Sequence, residues 1–201
     1  MKKKTFVLLL ALVLIAGAAV GGTLAWLTAK SDTVVNTFTT SDIDITLAET
    51  KGGTDKEFKM IPGCTIEKDP KVTVKAGSEK CYLFVKIEKS SNFDTFMTYT
   101  VADDWTQGNG TDIPSNVWYR TVEASNKDQV FYVLKGDTTY QNGLVTVKDT
   151  VTKADMEALK AENATPPTLT FTAYASQYMK NNTAPFTAAE AWVNVQPATT
   201  P

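Results

Sequence analysis

Apolar residues fall on alternate positions in several stretches of this chain, and a period of two is the mark of a strand with one buried face. Ile43, Ile45 and Leu47 alternate with Asp42, Asp44 and Thr46. Val72 and Val74 form a short run, Ala76-Gly77-Ser78-Glu79 has the composition of a turn, and Cys81, Leu83, Val85 and Ile87 alternate beyond it. This pattern predicts an antiparallel hairpin, with Cys81 opposite about Val74 or Lys75. Val117 to Val122 and Gln129 to Leu134, on either side of Ser125-Asn126-Lys127-Asp128, predict a second hairpin. Leu144 to Val147 is a further short strand. Leu169, Phe171, Ala173 and Ala175 alternate with Thr170, Thr172 and Tyr174 in the last long one. Ile61-Pro62-Gly63 breaks the chain, and from Ser90 to Ser115 no period emerges around the loop Gly108-Asn109-Gly110.

Two segments follow a helical pattern instead. Lys153 to Glu162 is rich in helix formers, has Thr152 as its cap and is closed off by Pro166-Pro167. Thr187 to Trp192 reads as a short helical turn, with Thr187 and Glu190 spaced as a capping box. The 31 threonines, with many valines and aromatics, favour strands over helices. The expected class is mainly β: an antiparallel β-sandwich or jelly roll with one or two short helices. No internal repeat is visible, so residues 41–196 are expected to form a single domain and 197–201 a tail.

The amino-terminal stretch has a different pattern. Lys2, Lys3 and Lys4 precede an apolar run from Phe6 to Ala16, small residues follow to Ala25, and no charge occurs between Lys4 and Lys30. A positive end, an apolar middle of about eleven residues and a small-residue exit form the order of an export signal. Thr23 and Ala25 stand three and one positions before a cut, which places cleavage around Thr23, Leu24, Ala25 and Trp26 and makes residues 1–25 the leader. The competing reading is a permanent membrane anchor, since the uncharged gap is long enough to cross about twenty residues of bilayer. The apolar run stops near Ala16, which favours export. Residues 26–40 then become a new amino-terminal arm containing Val34, Val35 and Phe38, with no proline or glycine.

Several of these stretches, in this order, carry a resemblance. Gly21 to Thr28, Asn36 to Thr39 and Ile43 to Leu47 resemble the amino terminus of the TasA and camelysin family of secreted bacterial matrix proteins. Ile61-Pro62-Gly63, Lys68 to Val74, Cys81 to Ile87, Phe171 to Gln177 and Ala189 to Trp192 continue it, while Ser90 to Pro167 contributes nothing. The resemblance implies processing by a signal peptidase of SipW type and a sandwich architecture. It also implies a fibre subunit that joins its own kind by β-strand donation, with Val34, Val35 and Phe38 in the donor segment and an accessory matrix protein as a further partner. The expected location is outside the cell, in an extracellular matrix or at the cell surface, with membrane contact only through the uncleaved leader.

Composition removes other classes. The leader holds three of the 20 basic residues and none of the 22 acidic ones, so the rest of the chain has a formal charge of −5 and no basic excess for nucleic acid. There is no histidine, which excludes imidazole-based triads and histidine-ligated zinc. A camelysin-type peptidase, the second reading by family label, therefore lacks the HExxH motif and any substitute for it. No cofactor or metal is expected. Asp103, Asp104 and Asp112 flank the glycine loop, where a solvated polar loop competes with an oxygen-ligand calcium site. Trp118, Tyr119, Phe131, Tyr132 and Tyr174 suit either cross-strand packing or a binding face of a surface adhesin. Cys64 and Cys81 lie in an exported chain, where a disulfide is permitted. A bond and two separate thiols both remain open.

Overall fold

The computed structural model describes residues 42–50 and 58–196. Along them run β1 (Ile45–Ala48), β2 (Thr65–Glu67), β3 (Lys71–Val74), β4 (Cys81–Lys89), α1 (Phe93–Phe96), β5 (Met97–Tyr99) and β6 (Thr106–Gln107). Then come β7 (Val117–Val122), β8 (Gln129–Tyr132), β9 (Leu144–Val147), α2 (Lys153–Ala158), β10 (Leu169–Gln177) and α3 (Ala188–Asn194). The protein is mainly β, and every ladder is antiparallel. Three sheets result, in the orders β1-β3-β8, β10-β4-β7-β6 and β2-β9-β5. The described residues all belong to a compact unit running from Thr40 to Pro201.

The centre of the molecule is β4, because both of its faces are covered. Cys81, Leu83, Val85 and Ile87 share one cluster with Val72 and Val74 of β3 and Val122 of β7. Tyr82 and Phe84, pointing the other way, share a second cluster with Ile113, Val117 and the α3 residues Ala191 and Trp192. A strand buried on both faces needs an unbroken apolar run, and Cys81-Tyr82-Leu83-Phe84-Val85 supplies one.

Neither predicted hairpin exists. β3 pairs with β1 and β8, while β4 pairs with β10 and β7. Each turn instead passes the chain from one sheet to the other. The apolar rows of β3 and β4 therefore meet across the core rather than lie side by side, and Cys81 stands opposite Val122 and Gln177. The turn relies on Gly77, whose φ of +86° is unfavourable for a residue with a Cβ. The second crossing turn meets the first: Gly77 N donates to the Ser125 carbonyl at 2.8 Å, and Ala76 N to Asp128 Oδ1 at 2.9 Å.

Both anticipated helix caps form. Thr152 accepts from Asp155 N and Thr187 from Glu190 N, each with the reciprocal carboxylate bond of a capping box. α2 is shorter than its composition predicts and ends well before Pro166. α1, which has no periodic signal in the sequence, forms because Phe93 and Phe96 anchor it in two separate small clusters. The break at Ile61-Pro62-Gly63 is a tight turn: Cys64 N donates to the Ile61 carbonyl at 3.0 Å, and Gly63 has φ +77°.

Candidate functional site: the edge strand β10

β10 is nine residues long and sits at the end of its sheet, hydrogen-bonded to β4. Its alternation settles which of its groups are used. Tyr178 N donates to the Lys80 carbonyl and Ser90 N to the Thr168 carbonyl, so even-numbered residues of this strand exchange bonds with β4. The odd-numbered residues Leu169, Phe171, Ala173, Ala175 and Gln177 therefore direct their N–H and C=O groups away from β4. Among the described residues no strand pairs with that side.

The same odd residues carry the core-facing side chains. Leu169, Phe171, Ala173 and Ala175 pack against the cluster of Val72, Leu83, Val85 and Ile87, yet they are only half-buried, whereas their neighbours on β4 are fully so. Two alanines in this row give the incomplete cover. β1 is an edge strand of the β1-β3-β8 sheet and lies alongside β10 without a ladder. Its Ile45 and the preceding Ile43 pack on the same cluster, and Leu47 is 37% exposed. A long edge whose outward main-chain groups are paired by no described strand, above a partly covered apolar row, is the arrangement that accepts a strand.

The opposite face of the same sheet is closed. Trp192 of α3 stands 5.3 Å from the Phe84 ring and 5.5 Å from Tyr174, centroid to centroid. α3 is held at its start by Glu190, whose carboxylate accepts from Thr187 N and Lys180 Nζ, both at 2.9 Å. The Thr187 N–H, followed by the Lys180 ammonium, draws the Glu190 carboxyl down to about 2, from an ordinary value of 4.5. A lowered pKa stabilises the fold above the ordinary value, and the gain is lost as pH falls through the folded value. The difference in Tm between the parent and Glu190→Gln is therefore expected to be constant above about pH 4.5 and to shrink as pH approaches 2. Thermal melts followed by Trp fluorescence across that range would check it.

Cys64 and Cys81 are not bonded. Cys81 opens β4 in the central core, and Cys64 follows the exposed turn that leads into β2, in a different sheet. Burial pushes the Cys81 thiol up to about 11. One thiol per chain is expected to react with iodoacetamide in the native protein and two in denaturant, with mass spectra unchanged by reductant.

The other candidate residues disperse. Asp103 pairs with Lys135 at 2.7 Å, Asp104 with Arg120, and Asp112 accepts from Asn109 Nδ2 at 2.9 Å. Among the described residues, no three His, Cys, Asp or Glu side chains are grouped to hold a metal. Trp118 and Phe131 pack on the central cluster, and Tyr119 and Tyr174 on the one under α3. Tyr132 is half-buried on β8, where its carbonyl accepts from Trp105 Nε1 at 2.9 Å. The cleavage residues Thr23, Leu24, Ala25 and Trp26, the donor residues Val34, Val35 and Phe38, and the tail 197–201 lie outside the described residues. The edge of β10 was not legible as a site from the sequence, because alternation marks a strand without marking its place in the sheet.

No family model, no curated protein and no solved structure matches this chain.

Proposed function

We propose that this protein is a secreted structural subunit of an extracellular fibre, an antiparallel β-sandwich of jelly-roll type that polymerises by strand donation. A signal peptidase of SipW type removes residues 1–25. The freed arm, Trp26 to Thr40, adds to the outer side of β10 in the next copy, with an accessory matrix protein as a further partner. The observation that carries this reading is β10 itself: five successive odd-numbered residues aim their main-chain groups away from β4, over a half-covered apolar row. The arm fits such an edge because it is rich in β-branched residues and lacks proline and glycine. The order of short motifs, which resembles that of TasA and camelysin proteins, points the same way.

The test exploits the alternation of β10. A chain of residues 26–201, left at neutral pH and viewed by electron microscopy, is expected to form filaments. Ala173→Pro removes an N–H that points outward, so the ladder to β4 keeps its bonds while the edge loses a donor. Filament growth is expected to fall sharply, with monomer stability changed by less than about 1 kcal/mol. Tyr174→Pro, one residue along, removes a bond to Phe84 and is expected to destabilise the monomer itself by about 3 kcal/mol. Equal filament growth by Ala173→Pro and its parent would remove β10 as the acceptor.

A further inference from the structure

Between β9 and β10 the chain makes an excursion that is tied at both ends. At its start Lys148 N donates to the Phe96 carbonyl at 2.9 Å, and at its end the Thr165 carbonyl accepts from Asn92 Nδ2 at 2.8 Å. Among the described residues, every hydrogen bond and ion pair of residues 149–164 is made to 148–164 themselves and to nothing beyond. α2 lies in the middle of this flap and contains no fully buried residue. What holds the flap down between its two ties is the packing of Val151, Met156 and Leu159.

Those side chains share a small cluster with Phe96 and Val147, against which Met60, Met97 and Ile66 also pack. Met60 precedes the Ile61-Pro62-Gly63 turn, and Met97 opens β5 opposite Val147. Three of the chain's five methionines therefore come to one cluster from three elements, each of them half-buried. Neither cluster around β4 includes a methionine. A thioether packs as an apolar group until it gains an oxygen; the sulfoxide is polar and loses that packing. Oxidisable contacts are thus collected where the chain is held by side-chain packing.

We propose that Met156 is an oxidation site at which a hydroperoxide unlatches the flap 149–164, with Met60 and Met97 as further sites on the surface beneath it. In the step, a lone pair of the thioether sulfur attacks a peroxide oxygen. The S–O bond forms, the O–O bond breaks, and the proton on the transferred oxygen passes to the departing one, which leaves as an alcohol, or as water from hydrogen peroxide. Sulfur is oxidised to the sulfoxide and the peroxide is reduced. α2 has six residues, too few to persist undocked, so loss of the Met156 contact releases the flap and uncovers Phe96 and Val147. The packing of β4 is untouched. Methionine sulfoxide reductases reverse the step and let the flap return.

Peptide mass spectrometry and hydrogen exchange on the protein treated with dilute hydrogen peroxide test this. Oxygen is expected on Met60, Met97 and Met156, and also on Met179, which is 41% exposed and belongs to none of the clusters. The amides of Leu159 and Lys160, bonded within the flap, are expected to exchange about tenfold faster after treatment, with those of Leu83 and Val85 unchanged. Met156→Leu, a swap of similar volume, is expected to keep the flap protected in peroxide, whereas Met179→Leu should respond as the parent does. The proposal is overturned if Met179 gains oxygen and Met156 does not, or if flap exchange is the same with and without oxygen on Met156. Both outcomes are read on the parent alone. Flap amides that exchange as fast as unprotected ones before any treatment would also overturn it, as would a Met156→Leu flap that opens in peroxide as readily as the parent's.

Discussion

A chain beginning at Thr37 is expected to stay monomeric under conditions in which one beginning at Trp26 forms filaments. The shorter chain lacks Trp26 to Asn36, including Val34 and Val35, and keeps every residue that contributes to the described fold. Its melting temperature should therefore equal that of the longer chain at low concentration. An edge of nine residues offers a ladder to an incoming strand, and the gain from each main-chain bond is about 1 kcal/mol. The stub that remains, Thr37 to Thr40, is too short to occupy that edge. Sedimentation and electron microscopy read the result directly. Filaments of undiminished number and length from the shorter chain would eliminate the arm as the donor. Adding a synthetic peptide of Trp26 to Thr40 in excess supplies the converse test, since it should cap β10 and suppress growth of the longer chain.

The second large effect concerns the face of the sheet that α3 covers. Phe84 is completely buried, and its ring lies 5.3 Å from Trp192, 6.0 Å from Tyr119 and 6.1 Å from Tyr82. Phe84→Ala is expected to cost about 3–5 kcal/mol, read as a lower urea midpoint with an unchanged slope. The loss combines the ring's own transfer energy with a cavity that α3 cannot close. That helix has seven residues, too few to persist without docking, so a gap beneath Trp192 loosens the helix as a whole. Val193→Ala on the same helix, at a position 67% exposed, should change stability by less than about 0.5 kcal/mol. A Phe84→Ala loss no larger than that of Val193→Ala would mean that α3 does not seal this face.

Much of this architecture is legible residue by residue, while its connectivity is not. Leu47 is 37% exposed and Tyr82 and Phe84 are buried on the far face of β4, but the alternation of Ile43 and Ile45, of Cys81 to Ile87 and of Leu169 to Ala175 marks the side chains that pack on the central cluster. It does so because burial acts on each side chain individually. Pairing is a different matter: alternate residues face a core in the same way whether the next strand lies beside them or across from them. The turns at Gly77 and Ser125 have hairpin composition and nevertheless change sheets. One neighbour of β4 is β10, with Leu169 opposite Lys89, and no local signal announces a partner about eighty residues away. β2, β5 and β6 span only two or three residues, too short for a period to be seen. Capping succeeded where pairing failed, because Thr187 and Glu190 complete their exchange within a single helical turn. The thiols follow the same logic. Cys64 and Cys81 are close in sequence, and the sheet change between them separates their environments.

The crossing turns also determine how a filament of such units would carry tension. A pull on the arm enters at Asp42 and runs along the axis of β1, whose bonds to β3 lie across that axis. Such bonds share the load and resist shearing together, whereas a strand peeled from its end would break them one at a time. With four residues of β1 in its ladder against nine along β10, the weaker joint of such a filament under stretching would lie at β1, inside the subunit, and a torn filament would leave an opened subunit at the break.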